Sequence, residues 1–193
     1  TRAVEDGATV KIYYESRLAK IDLSEFDLGA LDELAEEITE SVEEEEATKA
    51  KSRWSRLEAI VGAESRLDLI AADIVNHWEK RREILRGKGM IVTMSRRIAV
   101  RLYEKIVKLR PDWHSDDPAK GKIKVVMTGA ASDPASFQPH LYPKDIRKGI
   151  KLRAKNPDDE LELLVVRDML LTGFDAPAMH TMYIDKTMQG AGL

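Results

Sequence analysis

From Gly87 onward, short apolar runs alternate with amphipathic stretches, and that alternation leaves few folds open. Residues 90–94, 123–127, 161–169 and 180–185 are short, apolar runs bounded by turn residues, and they read as strands. The second ends in Thr128-Gly129. Between the first two, Ser95 is placed to cap a helix carrying Ile98, Ala99, Leu102, Tyr103, Ile106, Val107 and Leu109 at helical spacing. After a loop holding Pro134, Pro139 and Pro143, residues 144–155 read as a basic helix, closed by the turn Asn156-Pro-Asp-Asp159. Strands separated by helices predict an α/β fold: a parallel sheet, helices on its faces, right-handed crossovers.

The first 86 residues carry a different pattern. Val10-Lys-Ile-Tyr-Tyr14 reads as a short strand whose two tyrosines pack. Leu31, Leu34, Ala35, Ile38 and Val42 recur at helical spacing over residues 30–47, and the run Glu43 to Glu46 is a solvated helix end. Residues 51–85 are helical, with Trp54, Leu57, Ile60 and Val61 on one stripe. Gly62 marks a break, Ser65 a new N-cap, and Leu67, Ile70, Ala71, Ile74, Val75 and Trp78 a second apolar stripe. His77, beside Trp78, reads as packed.

Residues 21–48 hold 12 acidic side chains and no Lys or Arg, whereas the rest of the chain has an excess of nine basic groups. A mildly basic body suits a polyanionic partner. The absence of cysteine excludes a disulfide framework and a thiolate metal site. No apolar run reaches the roughly 18–20 residues of a membrane-spanning helix, so no membrane partner is expected. The chain begins with Thr rather than Met, which suggests a piece of a longer protein.

The polar strand ends carry the candidate chemistry. In a parallel sheet, Ser95, Thr128-Gly129 and the stretch from Arg167 to Asp175 line one edge, where α/β proteins bind ligands. Ser95 with the first N–H groups of its helix, and Thr128 with Gly129, suit a phosphate. Arg96, Arg97 and Lys144 or Arg147 suit additional cationic contacts. Thr172-Gly-Phe-Asp-Ala-Pro177 reads as a nucleotide-handling loop, with Gly173 for close approach and Asp175 for a hydroxyl or a cation. Other texts are decoys. Arg86-Gly-Lys-Gly89 lacks the spacing of a phosphate-wrapping loop. Asp32-Glu-Leu-Ala35 sits inside a helix, and Pro157-Asp-Asp-Glu160 is a turn. The four histidines show no metal-ligand spacing.

Three blocks together resemble the R (restriction, motor) subunits of type I restriction enzymes. They are residues 89–103, residues 122–129 with Ser132-Asp-Pro134, and Val165-Val-Arg-Asp-Met-Leu-Leu-Thr-Gly-Phe-Asp-Ala-Pro177 with Met182-Tyr-Ile-Asp-Lys186. Residues 5–17 look like that family's connection out of its first motor lobe. The resemblance implies a RecA-like second lobe of a superfamily 2 translocase. Residues 1–20 would be the connection, 21–86 an acidic, helical insertion, and 87–193 the lobe, stopping before motif VI and its phosphoryl-stabilising arginine. Residues 90–95 match motif IV and residues 167–175 motif V. By that match Thr172, Gly173 and Asp175 serve ATP and Mg2+ across the interlobe cleft. Ser95, Arg96, Thr128, Gly129, Arg167 and Asp168 serve double-stranded DNA.

The partners implied are the first RecA-like lobe of the same chain and the methylase (M) and specificity (S) subunits. The setting implied is the cytoplasm of a bacterium or archaeon. The parent would be an ATP-hydrolysing type I deoxyribonuclease; this segment alone, lacking the first-lobe elements, would be inactive. The alternatives are a lobe of another superfamily 2 helicase, or a non-catalytic α/β module that binds nucleic acid or protein.

Overall fold

The computed structural model describes residues 13–17, 55, 58, 60–131 and 133–186. The expected helix over 30–47, and Trp54 and Leu57, lie outside them. The described elements run α1 (Glu64–Ile84), β1 (Lys88–Thr93), α2 (Arg96–Leu109), β2 (Ile123–Val125), α3 (Lys144–Lys155), β3 (Leu163–Val166) and β4 (Met179–Asp185). Short 3-10 turns at Pro111–Trp113 and Ala135–His140 punctuate the connections. The strands form one sheet in the order β2-β3-β1-β4, and every pairing is parallel. The α/β fold with a RecA-like parallel sheet expected from the sequence is the fold observed.

Alternation along the strands divides the core in two. Ile91, Val125, Leu163 and Val165 face one side, where α1 and α2 cover them with Leu67, Ala71, Trp78, Ile98, Leu102 and Ile106. Met90, Val92, Leu164 and Val166 face the other, covered by Ile150 and Ala154 of α3. The connection from β3 to β4 completes that second face through Met169, Leu170, Leu171 and Phe174. Strands buried on both faces explain why β1 and β3 read as unbroken apolar runs.

Two local expectations change. Ser65 is not an N-cap: α1 begins at Glu64, after Ala63, and no side chain caps it. The break at Gly62 does occur, as a turn. Tyr13 and Tyr14 lie in no regular element and are 82% and 86% exposed, so neither is buried. His77 is packed: its Nδ1 lies 2.7 Å from the Tyr183 hydroxyl, and the two rings meet edge-on.

Candidate functional site

The sheet order creates a crevice. β1 and β3 are neighbours, yet β1 leads into α2 on one face while β3 leads into the crossover on the other. Loops that depart in opposite directions leave an opening beyond the strand C-termini, the place where open α/β sheets take ligands. Ser95 and Arg167 flank that opening. Thr93 fastens its floor, its hydroxyl donating to the Ser95 carbonyl at 3.0 Å.

Several of the polar residues expected at this edge have defined partners. Ser95 caps α2, its Oγ accepting from the Ile98 N–H at 3.2 Å. Arg96 donates to both carboxylate oxygens of Asp133, at 2.7 and 2.6 Å, and to the Thr128 carbonyl at 2.8 Å. The Asp133 side chain is only 3% exposed and also accepts from the Ala130 N–H at 2.6 Å. The Arg96 guanidinium, then that backbone donor, hold the Asp133 carboxyl below its ordinary range. Thr128 and Gly129 are exposed above this clamp. Arg167 pairs with Asp168 at 3.0 Å, and Asp168 pairs in turn with Lys186 at 2.5 Å, which links the end of β3 to the end of β4.

The stretch from Arg167 to Asp175 does not stay at the edge. It crosses the second face, and Phe174 comes to rest 5.3 Å from the Lys155 Nζ at the far end of α3. Ser95, Arg96, Thr128, Gly129, Arg167 and Asp168 therefore share the strand-end edge, while Thr172, Gly173 and Asp175 ride the crossover. All three of the latter are exposed. Gly173 has φ +68°, and nothing lies within 4 Å of where its Cβ would be. Among the described residues, Asp175 and Thr172 engage no hydrogen-bond or ion-pair partner. These side chains are open to an incoming ligand.

Several participants had no signal in the sequence. Asp133 stands 37 residues from Arg96, and Lys186 stands 18 from Asp168. A third contact ties the chain's early residues to the body: Arg17 donates to both oxygens of Asp73 on α1, each at 2.7 Å. Next to it, burial and then the Arg17 charge lower the His77 pKa. Arg66 is similarly bidentate to Asp185 at the end of β4, at 3.2 and 2.5 Å. Among the described residues no group of carboxylates and histidines could hold a metal ion. No helix among them is long and apolar enough to cross a membrane.

Comparison with known proteins points to one family. Residues 126–193 match the family model of type I restriction enzyme subunit R domain 3. The chain is 46% identical, over 99% of its length, to the type I restriction enzyme HindI endonuclease subunit of Haemophilus influenzae. It is 38% identical, over its full length, to the putative type I restriction enzyme MjaIXP endonuclease subunit of Methanocaldococcus jannaschii. It spans 17% and 18% of those two proteins. With a parallel α/β sheet and these matches across the whole sequence, the chain belongs to the family of type I restriction enzyme R subunits.

Proposed function

We propose that this chain is the second motor lobe of an R subunit that uses ATP hydrolysis to pump double-stranded DNA. The observation that carries the reading is the division of labour around one crevice. Positioned donors and cations occupy the strand-end edge, and on the adjoining crossover Thr172 and Asp175 are exposed and, among the described residues, have no partner. In this reading Ser95, Arg96, Thr128, Gly129, Arg167 and Asp168 grip the DNA backbone. Asp175 and Thr172 reach ATP-bound Mg2+ or the ribose from across the cleft, and Gly173 lets the backbone come close. ATP hydrolysis supplies the free energy of each step.

Coupling between the two functions follows from continuity of the chain. Arg167 and Asp175 sit at opposite ends of one nine-residue stretch, and Asp168 ties it to Lys186. Closing the nucleotide side on a first lobe would pull this stretch against the sheet and shift the DNA grip. The methylase and specificity subunits would supply sequence recognition, and a nuclease domain elsewhere in the parent would cut. The test is the ATPase of the full-length parent, with and without duplex DNA, beside Asp175→Ala. The expected result is DNA-stimulated hydrolysis that the variant loses. Hydrolysis unchanged by Asp175→Ala would remove Asp175 from the nucleotide site.

A further inference from the structure

On the basis of that DNA-motor reading, we infer that α3 is a second DNA contact, its stripe Lys144, Lys148, Lys151 and Lys155 lying along the phosphate backbone of the duplex. The helix carries six basic residues and one acidic residue. Its buried residues, Ile150 and Ala154, fix the face turned to the sheet. At about 100° per residue, the four lysines fall within an arc of roughly 60°, about a third of a turn from that face. They extend over about 16 Å of helix. Duplex DNA alongside such a length presents about nine phosphates.

The stripe differs from the paired cations of the other two helices by its continuity along one face. On α1 and α2, Arg66, Arg82, Arg101, Lys105 and Arg110 all pair with carboxylates. Among the described residues, Lys144, Lys148 and Lys151 have no such partner, and Lys155 only overlies the Phe174 ring. Like charges three and four residues apart disfavour a helix by a few tenths of a kcal/mol each. Lys144 also stands at the positive end of the helix dipole. A polyanion laid along the stripe reverses both penalties. The position fits as well. Arg147, near the start of α3, reaches toward the Met127 carbonyl at 3.5 Å, just below Thr128 and Gly129. Lys155, at the other end, borders the crossover that starts at Arg167. The stripe thus continues the proposed DNA edge down one face.

The test uses the full-length R subunit and a 30-bp duplex of arbitrary sequence, with affinity followed by fluorescence anisotropy between 50 and 250 mM KCl. K144Q/K148Q/K151Q/K155Q is compared with wild type and with K80Q/K108Q, which removes two exposed lysines of α1 and α2. Each lysine that meets a phosphate contributes about 0.9 to the slope of log K against log salt. The expected slope falls by about 3.6 in the quadruple variant and stays within about 0.9 of wild type in the control. A quadruple-variant slope within 0.9 of wild type overturns the proposal, whatever happens to absolute affinity. Loss of methylase-subunit capture at an unchanged slope would make α3 a protein-docking surface and equally overturn it. The two readings separate cleanly. Wild-type ATPase without DNA stimulation sinks the motor reading and this proposal together, whereas normal stimulation with an unchanged slope sinks this proposal alone.

Discussion

Gly89 offers a sharp test of how β1 is seated, because its backbone lies against a fully buried ring. A Cβ added there would lie 2.9 Å from a Leu163 methyl and 3.0 and 3.3 Å from two six-membered-ring carbons of Trp78. Leu163 is the register partner of Gly89 on β3, and Trp78 is 0% exposed. Gly89→Ala overpacks this contact, which costs about 1–3 kcal/mol, offset by about 0.5 kcal/mol from the stiffer unfolded chain. Trp78→Phe removes the offending ring carbons. It also loses the indole N–H bond to Glu162 at 2.9 Å, although Glu162 keeps Arg82 at 3.2 Å. Lost packing and the lost hydrogen bond together put that variant about 3 kcal/mol below wild type. In the double variant the alanine methyl moves into space the indole vacated, and only the flexible Leu163 methyl remains close. The costs should then fall short of additivity by about 1–2 kcal/mol. Urea unfolding followed by far-ultraviolet circular dichroism measures all three variants without relying on tryptophan emission. Additivity within about 0.5 kcal/mol would show that the ring does not limit position 89, and the reasoning would fail.

Substitutions at two further positions probe the rest of the body. His140 is 6% exposed, and burial, reinforced by His114 and Lys124, lowers its pKa from 6.5 to about 4. The unfolded chain therefore binds the proton more tightly, and stability is complete above pH 6.5 and lost as the pH falls toward 4. Between pH 7 and pH 5 this amounts to about 2 kcal/mol. His140→Gln should flatten that part of the urea-midpoint profile, and an unchanged profile would clear His140 of the role. Ser95→Ala should destabilise by about 1 kcal/mol through loss of the cap. Ser95→Asp keeps the cap but places a negative charge at the proposed phosphate edge. It should restore stability while weakening duplex binding at least threefold, and wild-type affinity would remove Ser95 from the DNA contact.

The elements legible in the sequence were those set by local periodicity. β1, α2, α3, β3 and β4 appear where the apolar pattern puts them, since burying one face of a helix or both faces of a strand imposes that pattern directly. What escaped depends on partners distant in sequence. Lys88 stands outside the apolar run of β1, and lysine is rarely buried. Here it is 2% exposed, with its ammonium donating to the Asp159 and Leu161 carbonyls at 2.9 and 2.5 Å. Lys124, 1% exposed, is held likewise by the Ser115 and Asp117 carbonyls. Two tyrosines in an alternating run look like packing until the fold leaves them facing solvent. The site was legible as a set of strand-end residue types, but not in its pairing. Nothing local to Arg96 announces Asp133, and nothing local to Asp168 announces Lys186.

That pairing decides how the two halves of the proposed DNA surface would act. Asp133 fixes Arg96 with two hydrogen bonds, and Asp168 stands between Arg167 and Lys186. These carboxylates cancel much of the charge at the edge, leaving groups whose positions are set but whose long-range pull on a polyanion is weak. The α3 lysines have the opposite character: they are long and flexible, and no carboxylate among the described residues neutralises them. Attraction over a Debye length of about 8 Å at physiological salt would therefore come from α3, while register on the backbone would come from the edge. A translocating lobe needs both, and needs them separate. A grip made only of mobile charges cannot transmit a defined step, and one made only of neutralised, fixed groups would lose the duplex each time the cleft opens.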